Sequence, residues 1–265
     1  MQTQTDLQVV KRKEGTVARI MSWNILSEEL SPGVPSIADR IDGVCETLLQ
    51  YLPDAVGIQE ISESAYGMFD ERIGDIYEFV NPKTKEGSFS FTTVAYNKQK
   101  YRLINSDIVN YSLGNRRIRV MDWILLEEIS AGVRFILLST HWDVHAKNRC
   151  PQAEEMGRLV KELEQTYGAP VICTGDFNAK DSSNAYRLFI ETSEHDDAKL
   201  TAPGPLNTRF TCHPVGSFTP YEQTDESIDH ITVTKGVTVL HHEIVTDGDV
   251  VNRSDHYPLY VDLEF

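Results

Sequence analysis

The sequence, 265 residues long, predicts one α/β domain. Three observations carry that expectation. Short apolar runs alternate with stretches whose apolar residues recur at helical spacing. No internal repeat, low-complexity tract or interdomain linker breaks the alternation. Polar residues able to do chemistry stand at the ends of the apolar runs, where α/β folds place their sites.

Composition bounds the class. A hydrophobic content of 40% with 9% aromatics suits an ordinary globule. No apolar run approaches the roughly 20 residues needed to cross a bilayer. Residues 1–15 are polar and lack an apolar core, which reads as a flexible leader and not as a secretory signal. The catalytic-type domain is then expected over 16–265, in the cytoplasm and without an obligate protein partner. Cys45, Cys150, Cys173 and Cys212 show no paired spacing and read as free thiols in a reducing compartment. The net charge of −15 opposes a grip on long nucleic acid through many phosphates. It favours a phosphorylated small molecule or a short nucleic acid.

Residues 16–25 predict a first strand ending at Asn24, which taken alone is a turn residue. Ile37, Ile41, Val44, Cys45, Leu48, Leu49 and Leu52 predict a helix over 36–52, with Ser36 as its cap and Pro53 beyond its end. Residues 54–61 predict a buried strand that exits at Glu60, either a solvated end or a placed ligand. A helix over about 62–73 follows. Strands are then expected in IYEFV, SFSFTTVAYN and YRLINSDIVNY, around turns at Asn81-Pro82 and Asn97-Lys98.

Residues 116–128 alternate as a strand, with Arg117 and Arg119 on one face together with Met121, Trp123 and Leu125. Those arginines could meet a phosphate or simply be solvated. Residues 133–140 predict its hairpin partner, leading into His141, Asp143 and His145. A zinc site on His141 and His145 would require a helix, and a strand exit does not supply one. An amphipathic helix is expected over 150–167, where Arg149 and Gln152 stand at its start.

Val171, Ile172 and Cys173 read as a buried, central strand. Asp176 and Asn178 at its exit project the same way if the extended geometry persists. Asp can hold a metal or take a proton from water; Asn can donate to a phosphate oxygen and cannot titrate. Ser182 or Ser183 caps a helix through Glu191. Residues 193–227 read as a long loop with short irregular strands. A strand over 227–234, opening with Asp229 and His230, is expected to pair with 237–246 across Lys235-Gly236. Ser254, Asp255 and His256 precede the last strand.

Six motifs hold these residues: SWNIL at 22–26, GIQE at 57–60, STHWD at 139–143, GDFN at 175–178, SIDHI at 227–231 and SDHYP at 254–258. In order and spacing they resemble the endonuclease/exonuclease/phosphatase superfamily of divalent-metal phosphoesterases, over roughly residues 17–264. The resemblance implies a four-layer α-β-β-α sandwich of two mixed sheets. It implies Glu60 as principal ligand of Mg²⁺ (or Mn²⁺), with Asn24 and Asp255 nearby. It implies Asp176 orienting or deprotonating the attacking water, Asn178 and His141 holding phosphate oxygens, and His256 paired with Asp229. Within the superfamily, SWNIL and GDFN look similar to the deadenylase and nocturnin branch, and the compact length resembles small bacterial members. Two alternatives accompany this phosphoesterase reading. One is a nuclease or deadenylase-like exonuclease; the other is a binding module that kept the fold and lost catalysis.

Overall fold

The computed structural model describes residues 8–207, 210–213 and 227–265. Twelve strands and five helices appear among them. In chain order these are β1 (Ala18–Asn24), α1 (Ile37–Tyr51), β2 (Ala55–Gln59), α2 (Glu63–Ile73), β3 (Tyr77–Val80), β4 (Thr92–Asn97), β5 (Tyr101–Asn110), β6 (Val120–Glu128), β7 (Arg134–His141), α3 (Ala146–Tyr167), β8 (Val171–Asp176), α4 (Asn184–Ser193), β9 (His195–Asp197), α5 (Ala198–Thr201), β10 (Asp229–Thr234), β11 (Thr238–Ile244) and β12 (Leu259–Glu264).

The strands form two six-stranded sheets, ordered β11-β12-β1-β2-β4-β3 and β5-β6-β7-β8-β10-β9. The sheets pack face to face, with β2 and β4 against β7 and β1 against β8. Side chains of α1 and α2 join the apolar cluster that holds the first sheet and the core between the sheets, and those of α3 and α4 join a second cluster with residues of the second sheet. This is the expected α-β-β-α sandwich. Each sheet centres on one parallel pair, β1 with β2 and β7 with β8, while the other pairings are antiparallel. Parallel neighbours need a long crossover, and α1 and α3 supply it. Both parallel pairs therefore end at the same edge of their sheets.

Close packing of the sheets selects glycine twice. A Cβ on Gly57 would lie 2.1 Å from Thr174 Oγ1 in the facing sheet. One on Gly175 would lie 2.2 Å from the Thr140 carbonyl oxygen, and Gly175 holds φ +155°. β1, β2 and β8 are buried along their whole length, so their apolar residues fall in runs and do not alternate.

Several elements differ from expectation. The strand expected from 116 starts at Val120; residues 115–119 form a turn in which Ile118 and Arg119 N–H both donate to the Asn115 carbonyl. Arg117 and Arg119 therefore do not alternate along a strand. α3 begins at Ala146, with Pro151 inside it. Asp143 fastens this early start, accepting from His145 N–H at 2.9 Å and Asn148 Nδ2 at 3.0 Å. β11 does not pair with β10 across Lys235-Gly236. It crosses to the other sheet and pairs with β12, because β10 is already flanked by β8 and β9. Within the expected 193–227 loop, β9 and α5 are regular; residues 208–209 and 214–226 lie outside the described ones. Of the leader, Val10 N–H donates to the Gln50 carbonyl at 2.8 Å and Lys13 N–H to Asp262 at 2.9 Å, tying that stretch to the fold.

Candidate active site

The strand ends bring the motif residues together by register. Asn24 closes β1 beside Gln59, one residue before Glu60. His141 closes β7 beside Asp176, which closes β8. β10 enters antiparallel, with Asp229 opposite Asp176. The 254–256 segment is stitched to β1, since Ser254 Oγ donates to the Asn24 carbonyl at 2.7 Å and Trp23 Nε1 to the His256 carbonyl at 2.9 Å. A cavity of about 490 Å³ results, lined by Glu60, Arg119, His141, Asp176, Asn178, Asp255 and His256, among others. Asn24 and Asp229 stand fully buried behind that lining. A second cavity, about 450 Å³ against α4, contains none of these residues.

Its polar side chains hold one another. His256 Nδ1 lies 2.9 Å from Asp229 Oδ2, and its Nε2 faces Asp176 Oδ2 at 3.8 Å. His141 Nε2 is 3.4 Å from the same Asp176 oxygen. Asn24 Nδ2 donates to Glu60 and to Asp176, each at 3.1 Å, while its oxygen accepts from Leu26 N–H. Asn24 thus faces the carboxylates as a donor. Glu60 also accepts from Ser27 N–H at 3.1 Å.

The extended geometry does not persist past Asp176. Asn178 sits at φ +47°, its N–H bonded back to Asp176 Oδ1 at 2.8 Å and its Nδ2 to the Trp142 carbonyl at 2.9 Å. Glu60 sits at φ +58°. Left-handed backbone costs a residue such as glutamate about 1–2 kcal/mol and asparagine less, so Glu60 carries the strain where its strand turns into the cavity. Beneath it, Trp142 stacks on Phe177 at 4.5 Å and bonds Tyr111, fixing the floor.

Burial and charge push the titratable groups apart. Asp176 is raised to about 7 by its burial and the nearby Asp229 charge, against the pull of His256. Burial alone would lower His256, but Asp229, Asp176 and Asp255 outweigh it and hold the imidazolium well above its ordinary value. His141 is driven well below its ordinary value by burial, Arg119 and His256, which leaves it neutral. A retained proton on one imidazole and an acid near neutrality beside it are an acid–base arrangement.

The cavity suits a hard cation. Among the described residues, Asp255 Oδ1, His141 Nδ1 and Asp229 Oδ1 are buried without a hydrogen-bond partner. A bound ion is one of the groups that satisfies such atoms. Glu60 and Asp255 offer the carboxylate oxygens that Mg²⁺ or Mn²⁺ prefers. Asp176, Asp229 and His256 also bring ligand-type atoms within 4.8 Å of one another. With Nδ1 held by Asp229 and the ring protonated, His256 has no lone pair to give, so this triad works as a hydrogen-bonded dyad beside an acid. His145 is exposed and lies 2.7 Å from Asp143, away from any joint site with His141.

The two arginines part company. Arg119 lines the cavity, with Nη1 donating to the His141 and Trp142 carbonyls at 3.2 and 2.6 Å. Arg117 does not reach it; its guanidinium lies 4.7 Å over the Phe91 ring and donates to the Phe89 carbonyl. Sequence reading missed the walls: Leu30, Ser31, Ile118, Val144, Cys212, His213 and Ile228. They stand on loops without periodicity. In the structure the Thr211 hydroxyl accepts from Ile228 and Asp229 N–H and so brings Cys212 and His213 to the SIDHI motif.

The sequence profile described as "Endonuclease/Exonuclease/phosphatase family" matches residues 21–256. The chain is 26% identical to tyrosyl-DNA phosphodiesterase 2 of Homo sapiens over 176 residues, 64% of this chain and 44% of that protein. It thus spans under half the length of this curated relative. A mannosyl-6-phosphatase of Bacteroides thetaiotaomicron superposes with a TM-score of 0.81 at 19% identity, covering 94% of this chain and 100% of the other. The human nocturnin catalytic domain with bound sulfate gives 0.73 at 21% identity, covering 94% of each. At such identities the two structures speak for the fold alone.

Proposed function

This chain belongs to the endonuclease/exonuclease/phosphatase family, and from that premise we propose that it hydrolyses phosphoester bonds in a phosphorylated small molecule or a short nucleic acid. The observation that carries the reading is the His256–Asp229 pair at 2.9 Å facing Asp176 across a cavity that also receives Glu60 and Asp255.

Phosphoester hydrolysis gathers charge on the phosphoryl oxygens and on the departing oxygen while a water attacks in line. Asp176 orients that water and accepts its proton. The His256 imidazolium, held in one tautomer by Asp229, faces the charge that develops on the phosphoryl group. Asn178, with one Nδ2 hydrogen given to Trp142, keeps the other for a phosphate oxygen. His141 and Arg119 complete that side. Glu60 and Asp255 would hold a divalent cation, Mg²⁺ or Mn²⁺, with Asn24 bridging Glu60 to Asp176; bound there, it would supply charge stabilisation beside the phosphorus.

The net charge of −15 favours a small substrate. The likeness to tyrosyl-DNA phosphodiesterase 2 supports the second reading, a short nucleic acid. Hydrolysis of bis-p-nitrophenyl phosphate should stop in EDTA and return with Mg²⁺ or Mn²⁺. Absence of hydrolysis with every divalent ion would leave a binding module on the same fold. Salt inhibition confined to single-stranded DNA or RNA, against p-nitrophenyl phosphate and inositol phosphates, would select the nucleic acid.

A further inference from the structure

Resting on the reading of Asn178 as the residue that holds a phosphate oxygen, we propose that Arg149 is a positioning residue that locks Asn178 in its left-handed conformation. Asn178 is tied at three points. Its N–H is bonded to Asp176 and its side chain to the Trp142 carbonyl. The third tie is its own carbonyl, which accepts from Arg149 Nη1. Without it the peptide after Asn178 could swing, and at φ +47° an asparagine has an ordinary right-handed or extended alternative to fall into.

Arg149 stands in the first turns of α3, and that end of the helix is itself anchored to the cavity walls. Gln152, fully buried one turn on, accepts from Asp143 N–H at 2.8 Å and donates to the Leu113 carbonyl at 3.0 Å. Arg149 Nη2 reaches the Val144 carbonyl at 3.4 Å. The start of α3 therefore ties Leu113, Asp143, Val144 and Asn178 to one helix end. A packing role alone does not account for the residue. Among the described residues Arg149 Nε is buried without a hydrogen-bond partner, a cost that an aliphatic side chain of similar length would avoid. What the guanidinium adds is a rigid planar donor aimed at the Asn178 carbonyl.

The test uses the full chain carrying Arg149→Met or Arg149→Lys, alone and with Asn178→Ala. Hydrogen exchange of a peptide spanning 177–180 reads the conformation directly, whether or not a substrate is known. Arg149→Met should speed exchange at the Asn178 amide, and Arg149→Lys, which keeps one donor, should give an intermediate rate. On bis-p-nitrophenyl phosphate, Arg149→Met should lower kcat by roughly 10- to 100-fold with KM nearly unchanged, the scale of a misplaced contact. In the Asn178→Ala background it should have no further effect on kcat, since the two act as a unit. Wild-type exchange in both Arg149 variants overturns the proposal, as does an equal loss of kcat with and without the Asn178 side chain. A wild-type protein without phosphoesterase activity refutes the functional reading instead, and the exchange measurement still decides the role of Arg149.

Discussion

Replacing Asp229 with Asn removes one negative charge and keeps the shape. Asp229 Oδ2 lies 2.9 Å from His256 Nδ1, and the carboxylate is 1% exposed. At an effective dielectric constant of about 20, unit charges at that distance attract by roughly 6 kcal/mol, an upper bound on what holds the imidazolium. Burial pulls His256 the other way, and Asp229 is the largest of the influences that oppose it. Asp229→Asn should therefore leave the ring neutral at pH 7 and also free to adopt the wrong tautomer. Loss of such an acid–base group lowers kcat by about 10²–10⁴, or about 3–5.5 kcal/mol of barrier. The assay is steady-state hydrolysis of bis-p-nitrophenyl phosphate with saturating Mg²⁺, alongside circular dichroism to verify the fold. A folded Asp229→Asn protein with kcat within about threefold of wild type would refute the dyad, since that is under 1 kcal/mol.

Other perturbations follow from the same geometry. In EDTA, stability should fall as pH rises from about 4 toward 7: Asp176 is raised to about 7, so the folded state keeps a proton that the unfolded chain has already released. Asp176→Asn should flatten that slope in a melting-temperature series from pH 4 to 8, and an unchanged slope would contradict the assignment. Burial raises the Cys45 thiol to about 12, so it should resist a disulfide-exchange reagent at pH 8 in the native protein and react on unfolding. Rapid native labelling of Cys45 would mean that α1 opens from the core. Gly175→Ala must place a methyl 2.2 Å from the Thr140 carbonyl, and should destabilise by about 3 kcal/mol or abolish soluble expression. A chemical denaturation curve matching wild type would show that the strand exit can shift.

Fold and site were unequally legible in the sequence. The strands that carry the site are buried on both faces, so their apolar runs stand out, and the polar residue that ends each run marks its exit: Asn24 after 18–23, Glu60 after β2, His141 and Asp176 at the ends of β7 and β8. Burial writes itself into composition. Pairing does not. β10 and β11 look like a hairpin because two apolar runs flank Lys235-Gly236, yet β11 joins the other sheet, and nothing local encodes which sheet has a free edge. Arg117 and Arg119 fit an alternating pattern that extends too far toward the N-terminus; the turn closed on the Asn115 carbonyl holds them outside β6, which begins only at Val120. α3 starts at Ala146 and not at 150, behind a segment that Asp143 ties down by accepting from the His145 N–H and the Asn148 side chain, contacts that leave no periodic signal. The walls at Cys212, His213 and Ile228 come from loops placed by hydrogen bonds between segments far apart in the chain, which leave no periodic trace.

The central claim is that residues spread from Asn24 to His256 build one seat for a divalent cation next to a phosphoryl group. Crystals soaked in Mn²⁺ and a nucleoside monophosphate, measured at the manganese absorption edge, test it directly. The account expects an anomalous peak in contact with the carboxylate oxygens of Glu60 and Asp255, with a phosphate oxygen within reach of Asn178 and His256. A peak bound elsewhere, or none at millimolar Mn²⁺ while the phosphate still binds, would contradict it.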